Sequence, residues 1–318
     1  MDMQIKTVNY LSRLDNTMQP ALFRAAGSSE ARPLVVCLHT WSADLTQDPG
    51  KYFERAAKRD WHCIYPNFRG PNWNPEACGS DLVVSDIECA VEFVCREVKV
   101  DENRIYIVGG SGGGHCTLLL AARRPDIWAA ASAWCPISDI AKWHLFSNTD
   151  GFQCYAEHIR QACGGNPQQD KAAFEQAMHR SPVTYLADAV NRCIIDIGTG
   201  IHDGHTRFSV PVSHSVEAFN MLAGESERIS EADIDVMVKD EIIPEHLRYT
   251  GEPDPAYGPY EVLLRRTSNL ARLTLFEGAH DLLPGPAFGF LEQQLRGQAP
   301  VWSSGSVFDS HLDTELGK

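Results

Sequence analysis

Gly109-Gly110-Ser111-Gly112-Gly113 constrains this chain more than any other stretch, because of what stands on either side of it. Before it runs Arg104-Ile105-Tyr106-Ile107-Val108, a short apolar, β-rich strand. After it runs His115 to Ala122, a buried helix closed by Arg123-Arg124-Pro125. A chain that passes from strand to helix in so few residues must adopt a tight, strained turn. Neighbours without side chains permit that turn and leave the Ser111 hydroxyl exposed above the sheet. Ser111 therefore reads as a nucleophile. A phosphate-cradling glycine loop is the rival, but no Gly-Lys-Ser/Thr follows and the turn is too short.

Strand, G-x-S-x-G and helix together form the nucleophile elbow of α/β-hydrolases. The rest of the centre agrees with that fold class. Strands at Leu34–Leu38, Cys63–Tyr65, Ile105–Val108, Ala129–Trp134, Arg192–Ile197 and Arg272–Phe276 alternate with helices, including Asp48–Asp60 and a long amphipathic Asp81–Glu97. Such alternation implies right-handed crossovers and a mainly parallel sheet covered by helices on both faces. Val8–Asp15 and Gln19–Ala25 read as a hairpin on the sheet edge, and Val262–Arg266 with Leu270–Phe276 as another. The 318 residues are read as a single domain with two insertions. Residues 137–186, mostly helical, leave the carboxyl end of a strand, where open α/β sheets bind ligands, and read as a cap. Residues 223–261 are acidic and carry Pro244, Pro253, Pro255 and Pro259.

Charge narrows the partners. A formal net charge of −14 argues against nucleic acid and anionic membranes, both of which demand basic patches. No apolar run approaches the roughly 20 residues of a spanning helix. Met1–Pro20 lacks the apolar core of a signal peptide, so the cytoplasm is expected, with export after removal of a leader as the alternative. The ten cysteines include no C-x-x-C pair and fall mostly on apolar strands and helices, which reads as buried reduced thiols. No cofactor is expected, and no metal, since His202-x-x-His205 alone is thin evidence for zinc.

A serine hydroxyl needs a histidine base, oriented in turn by a carboxylate. Asp203 sits in the loop after the strand ending at Ile197, and His280 in the loop after the strand ending at Phe276. Three residues on one sheet edge can converge. Asp196 is the rival acid, but its mid-strand place puts it below that edge. For the oxyanion, the N–H of Gly112 is the expected first donor. The second belongs to the loop His39-Thr40-Trp41-Ser42, with Trp41 preferred and Thr40 as runner-up.

These residues resemble the prolyl oligopeptidase-like branch of the α/β-hydrolases. Pro66-Asn67-Phe68-Arg69-Gly70 is similar to that family's asparagine-x-arginine-glycine segment, and Val100-Asp101-Glu102-Asn103-Arg104-Ile105 to its lead into the elbow. Ser181-Pro182, Gly200-x-x-Asp203 and Val210-Pro211 extend the likeness, which supports Asp203 over Asp196. No N-terminal β-propeller of that family is expected within these 318 residues. His39-Thr40-Trp41 replaces the usual His-Gly, and Asp203-Gly204-His205 with His214-Ser215 resembles the bacterial carbohydrate esterase-like members.

Trp41, Trp73, Trp134 and Trp143 fall at or just after strand carboxyl ends, and indole faces suit sugars or aromatic groups. Arg69 can hold a substrate carboxylate bidentately or, as the family likeness favours, form a structural ion pair, and His202 beside Asp203 can support its loop or contact substrate. The expectation is thus a serine esterase using Ser111, Asp203 and His280. Its substrates would be carbohydrate esters, either O-acetyl groups or uronic acid methyl esters. A small-peptide hydrolase is the alternative, ranked lower because no acidic clamp for a free N-terminus is evident. A catalytically silent binding protein is the alternative of another class. Assembly with further copies of the chain is left open.

Overall fold

Strand composition and helix caps place most elements where the sequence pattern does. In the computed structural model, residues 4–149, 153–205, 209–303 and 305 are described. Lys6–Leu11 (β1) and Met18–Arg24 (β2) pair antiparallel as a hairpin, with Leu11 opposite Met18. Arg32–Leu38 (β3) is buried along almost its whole length, as befits a strand covered on both faces. Gly50–Lys58 (α1) starts after Pro49, so the helix read from Asp48 begins two residues later. His62–Pro66 (β4) follows. Asp81–Glu97 (α2) matches its expected span because Ser80 caps it, its hydroxyl accepting from the N–H of Val83.

Val100–Gly110 (β5) leads into Gly112–Arg123 (α3), and Ala130–Trp134 (β6) follows. Ile140–Ser147 (α4), Gln153–Cys163 (α5) and Lys171–His179 (α6) fill the first insertion. Ile194–Gly200 (β7), Ser213–Leu222 (α7) and Glu231–Asp240 (α8) come next. Val262–Ser268 (β8), Ala271–Phe276 (β9) and Pro284–Leu291 (α9) complete the order. Gly198, Thr199 and Gly200, read as loop, extend β7 because β9 pairs with them as far as Phe276.

The nine strands lie in the order β1-β2-β4-β3-β5-β6-β7-β9-β8. The six from β4 to β9 are parallel, and the hairpins add antiparallel edges at both ends. Alternate side chains of each strand enter different layers. Leu34, Val36 and Leu38 pack with residues of α2, α3 and α7, whereas Val35 and Cys37 pack with residues of α1 and α9. This is an α/β-hydrolase fold. The second insertion contributes Ile229, Ile234, Met237 and Ile243 to the first of those layers. A third cluster joins the first insertion to the body through Trp41, Ile140, Trp143, Ile159 and Ala177. Tyr257, also from the second insertion, is buried against Trp134 and Phe276. All ten cysteines are free thiols. Among the described residues no helix is long and apolar enough to cross a membrane.

Candidate active site

The elbow turns where β5 ends. Ser111 has φ 57° and ψ −120°, a conformation that costs on the order of 1–3 kcal/mol and persists only where neighbours hold it. They do so here by close backbone approach. A Cβ at Gly113 would stand 2.7 Å from the carbonyl oxygen of Leu38, and one at Gly112 would stand 2.5 Å from the backbone nitrogen of Trp41. The Ser111 N–H donates to Trp134 O at 2.9 Å, and Ser111 O accepts from the N–H of His115 at 2.8 Å.

The His39–Ser42 loop beside the elbow is fixed from several sides. Thr40 donates its N–H to Gln47 Oε1 at 3.0 Å, and Gln47 Nε2 donates to the Thr40 hydroxyl at 3.1 Å. The ring nitrogens of His39 lie 2.9 Å from Thr40 O and from Asn67 O, and the ring stacks on Phe68. Buried Asn72 donates twice to Trp41 O, from its backbone N–H at 2.9 Å and its Nδ2 at 3.3 Å. Thr40 thus spends its N–H on Gln47. The N–H groups of Trp41 and Gly112 have no such acceptor among the described residues, which suits them to a developing negative charge.

Asp203 and His280 meet. His280 Nδ1 lies 2.9 Å from Asp203 Oδ1 and 3.0 Å from Oδ2. The buried carboxylate also accepts from Thr199 Oγ1 at 3.0 Å and from the N–H of Val210 at 2.8 Å. Burial disfavours the protonated His280 ring, but the Asp203 charge and hydrogen bond, with Asp281 adding, outweigh it and raise the pKa. His280 Nε2 is buried and has no hydrogen-bond partner among the described residues. It is the ring nitrogen not committed to Asp203.

The rival acid lies elsewhere. Asp196 is buried with Arg272, whose Nε donates to Asp196 Oδ1 at 2.7 Å. The Arg272 guanidinium also donates to Trp302 O and lies over the rings of Phe290 and Trp302. Sequence reading missed this pair, because Arg272 looks like the polar first residue of a strand.

Two candidate substrate contacts have their polar atoms engaged within the protein. Arg69 donates to Asp86 at 2.5 Å, to Asp15 at 2.7 Å, to Glu76 at 3.3 Å and to the Ser12 hydroxyl at 3.1 Å. Its guanidinium is spent on tying the β1–β2 turn to α2. His202 bridges two carboxylates, Glu241 at Nδ1 and Glu277 at Nε2, each at 2.7 Å. The hydrogen bond to Glu277 raises its pKa most, burial opposes it, and the hydrogen bond to Glu241 adds to the net rise. Both ring nitrogens are therefore occupied.

The tryptophans divide. Trp134 belongs to the core beneath the site, packed on Tyr257 and Phe276. Trp143 meets Trp41 edge-on at 4.8 Å between centroids, and Tyr155 at the same distance. Tyr155 neighbours His158, and His158 neighbours Trp73 at 4.7 Å. An aromatic line thus runs from the Trp41 loop along the first insertion, and the indole N–H groups of Trp41 and Trp143 are buried without a partner among the described residues. Tyr155 and His158 were not singled out from sequence, since the helical spacing of α5 marks them only as one face.

Known proteins resemble the chain as follows. Residues 51–240 match the profile of the prolyl oligopeptidase family. Acylamino-acid-releasing enzyme 1 of Oryza sativa subsp. japonica is 25% identical over 219 residues, covering 62% of this chain and 26% of that protein. The acylamino-acid-releasing enzyme of Rattus norvegicus is 25% identical over 115 residues, covering 36% of this chain and 15% of that protein. The chain thus spans only a minor part of these relatives' length. Among solved structures, the uncomplexed acylaminoacyl peptidase of Pyrococcus horikoshii has a TM-score of 0.55 at 17% identity, covering 69% of this chain and 35% of that one. That likeness is one of fold.

Proposed function

This chain belongs to the prolyl oligopeptidase family, and from that premise we propose that it is a serine peptidase of small, N-acylated peptides. Membership makes it a serine hydrolase. The amide preference replaces the carbohydrate-ester expectation for two reasons. The relatives are peptidases by name, and of the tryptophans that suggested sugars, Trp134 is core and Trp143 is buried within the first insertion. An acylated N-terminus also needs no acidic clamp, which the sequence lacks.

The observation that carries the reading is the Asp203–His280 pair, joined at Nδ1 with Nε2 left unspent. In the proposed reaction Ser111 Oγ attacks the substrate carbonyl while His280 Nε2 takes its proton. Asp203 holds the proton on Nδ1 and stabilises the imidazolium. The carbonyl oxygen becomes an oxyanion between the N–H groups of Gly112 and Trp41. Collapse expels the amine, which takes the proton from His280, and water then releases the acyl-enzyme by the same path. Trp73, Tyr155 and His158, the partly exposed members of the aromatic line, offer apolar faces for the acyl side of the substrate.

The test is a side-by-side panel of acetyl-aminoacyl naphthylamides, free aminoacyl naphthylamides, p-nitrophenyl acetate and acetylated xylan. The N-acylated amides are expected to give the highest kcat/KM. Turnover confined to xylan esters would overturn the reading, and failure of Ser111 to react with a fluorophosphonate would favour a binding protein.

A further inference from the structure

Cys135 stands against the Asp203–His280 pair, and no step of the proposed reaction uses it. It follows Trp134 at the end of β6 with φ 45°, anchored by its N–H to Gly198 O at 2.8 Å. Its thiol is buried, donating to Asp281 O at 3.3 Å and facing Thr199 Oγ1 at 3.6 Å. Cys135 Sγ, a carboxylate oxygen of Asp203 and a ring nitrogen of His280 all lie within 4.8 Å of one another. Among the described residues this is the one such grouping.

We propose that this triangle is an inhibitory site for a thiophilic divalent cation, with zinc or cadmium as the fitting ions. Thiolate, imidazole and carboxylate are the donor set that zinc takes, at about 2.3 Å to sulfur and about 2.0–2.2 Å to nitrogen and oxygen. A tetrahedral ion needs about 3.3 Å between such nitrogen and oxygen donors, so the 2.9 Å His280–Asp203 edge opens slightly while Sγ closes in. Of the three side chains, His280 is 20% exposed and Asp203 is fully buried, so the ion enters past the imidazole. Magnesium and calcium do not compete, because they prefer oxygen donors.

Binding forms three bonds to the metal and changes no oxidation state. The thiol releases its proton to solvent, and the proton on His280 Nδ1 moves through solvent to Nε2. With Nδ1 on the metal, the neutral ring carries its one proton on Nε2 and has no lone pair left for the Ser111 hydroxyl. The effect on activity rests on the proposed role of His280, whereas binding itself does not.

Two readouts separate these. Wild type, Cys135→Ser, Cys135→Ala and Cys154→Ser are titrated with zinc and magnesium chlorides while amide hydrolysis is followed. Zinc is expected to inhibit wild type and Cys154→Ser, reversibly with EDTA. The inhibitory concentration should rise by roughly 10-fold or more in both Cys135 variants, since a lost ligand costs at least what an outer-shell partner does. Cadmium is added separately, and the ultraviolet thiolate-to-cadmium band is recorded. Recorded in a Cys154→Ser background, which removes the exposed thiol, the band is expected with Cys135 present, absent in the Cys135 variants, and reached at higher cadmium in Asp203→Asn. Equal zinc sensitivity with and without Cys135, or a band that survives its removal, overturns the site. So does a wild type that binds neither ion. If no substrate is turned over at all, the proposed function fails while the cadmium band still decides the site.

Discussion

The backbone of Trp41 presses so closely on Gly112 that a Cβ at residue 112 would stand 2.5 Å from both Trp41 N and Trp41 Cα. Two N–H groups from different loops are thereby held side by side at the start of α3. Gly112→Ala is expected to push the Trp41 loop away and cut kcat about 10²–10³-fold, the usual cost of one oxyanion donor. KM should change far less. Thermal unfolding of the variant checks that the fold survives. A full kcat in a folded Gly112→Ala protein would remove this pair from the mechanism.

The two carboxylates of β7 and its following loop should fail in different ways. Asp203→Asn keeps the geometry but favours the wrong His280 tautomer, so kcat is expected to fall by about 10⁴ with little loss of stability. Asp196→Asn leaves Arg272 buried without its counter-charge, which costs about 3–5 kcal/mol of stability. Urea unfolding and steady-state kinetics on both variants distinguish the roles. Loss of activity in a stable Asp196→Asn protein would reverse the assignment.

What sequence could and could not show follows from the range of the signals. The elbow is local, so strand, glycines and helix are all visible within about 20 residues. Asp203 and His280 follow because each sits just past a strand end, and topology brings such ends to one edge. Side chains that meet across layers leave no such trace. Arg69 could be read as a substrate contact or as half of an ion pair, and only the fold shows its partners, Asp15 and Asp86, 54 and 17 residues away. Cys135 likewise meets Asp203 and His280 from a third strand, so no ligand spacing marks it.

Arg69 supplies a third test. With Asp86 buried against it, Arg69→Met should lower stability by about 3–5 kcal/mol, the cost of stranding a buried charge. Its kcat/KM for substrates with and without a carboxylate should stay in the wild-type ratio. Selective loss on carboxylate-bearing substrates would restore Arg69 as a binding residue.

Acid should destabilise the chain through two buried histidines. His214 Nδ1 accepts from the N–H of Ser138 at 3.2 Å, so that nitrogen cannot carry a proton in the native state. Burial, with Lys142 adding, pushes its pKa down to about 3. His115 donates from Nε2 to Arg180 O at 2.7 Å, and burial pushes it down to about 4. Both pKa values lie below the ordinary histidine value of about 6.5, so on unfolding each ring gains a proton between those limits. The stability they contribute is therefore complete above about pH 6.5 and is lost as pH falls toward 4 and then 3. Urea midpoints measured from pH 7.5 down to pH 4.5 are expected to fall over this interval. His214→Gln, which keeps an acceptor but no titratable group, should flatten the slope by one proton's share. A slope identical to wild type in that variant would mean that His214 is already protonated in the folded protein.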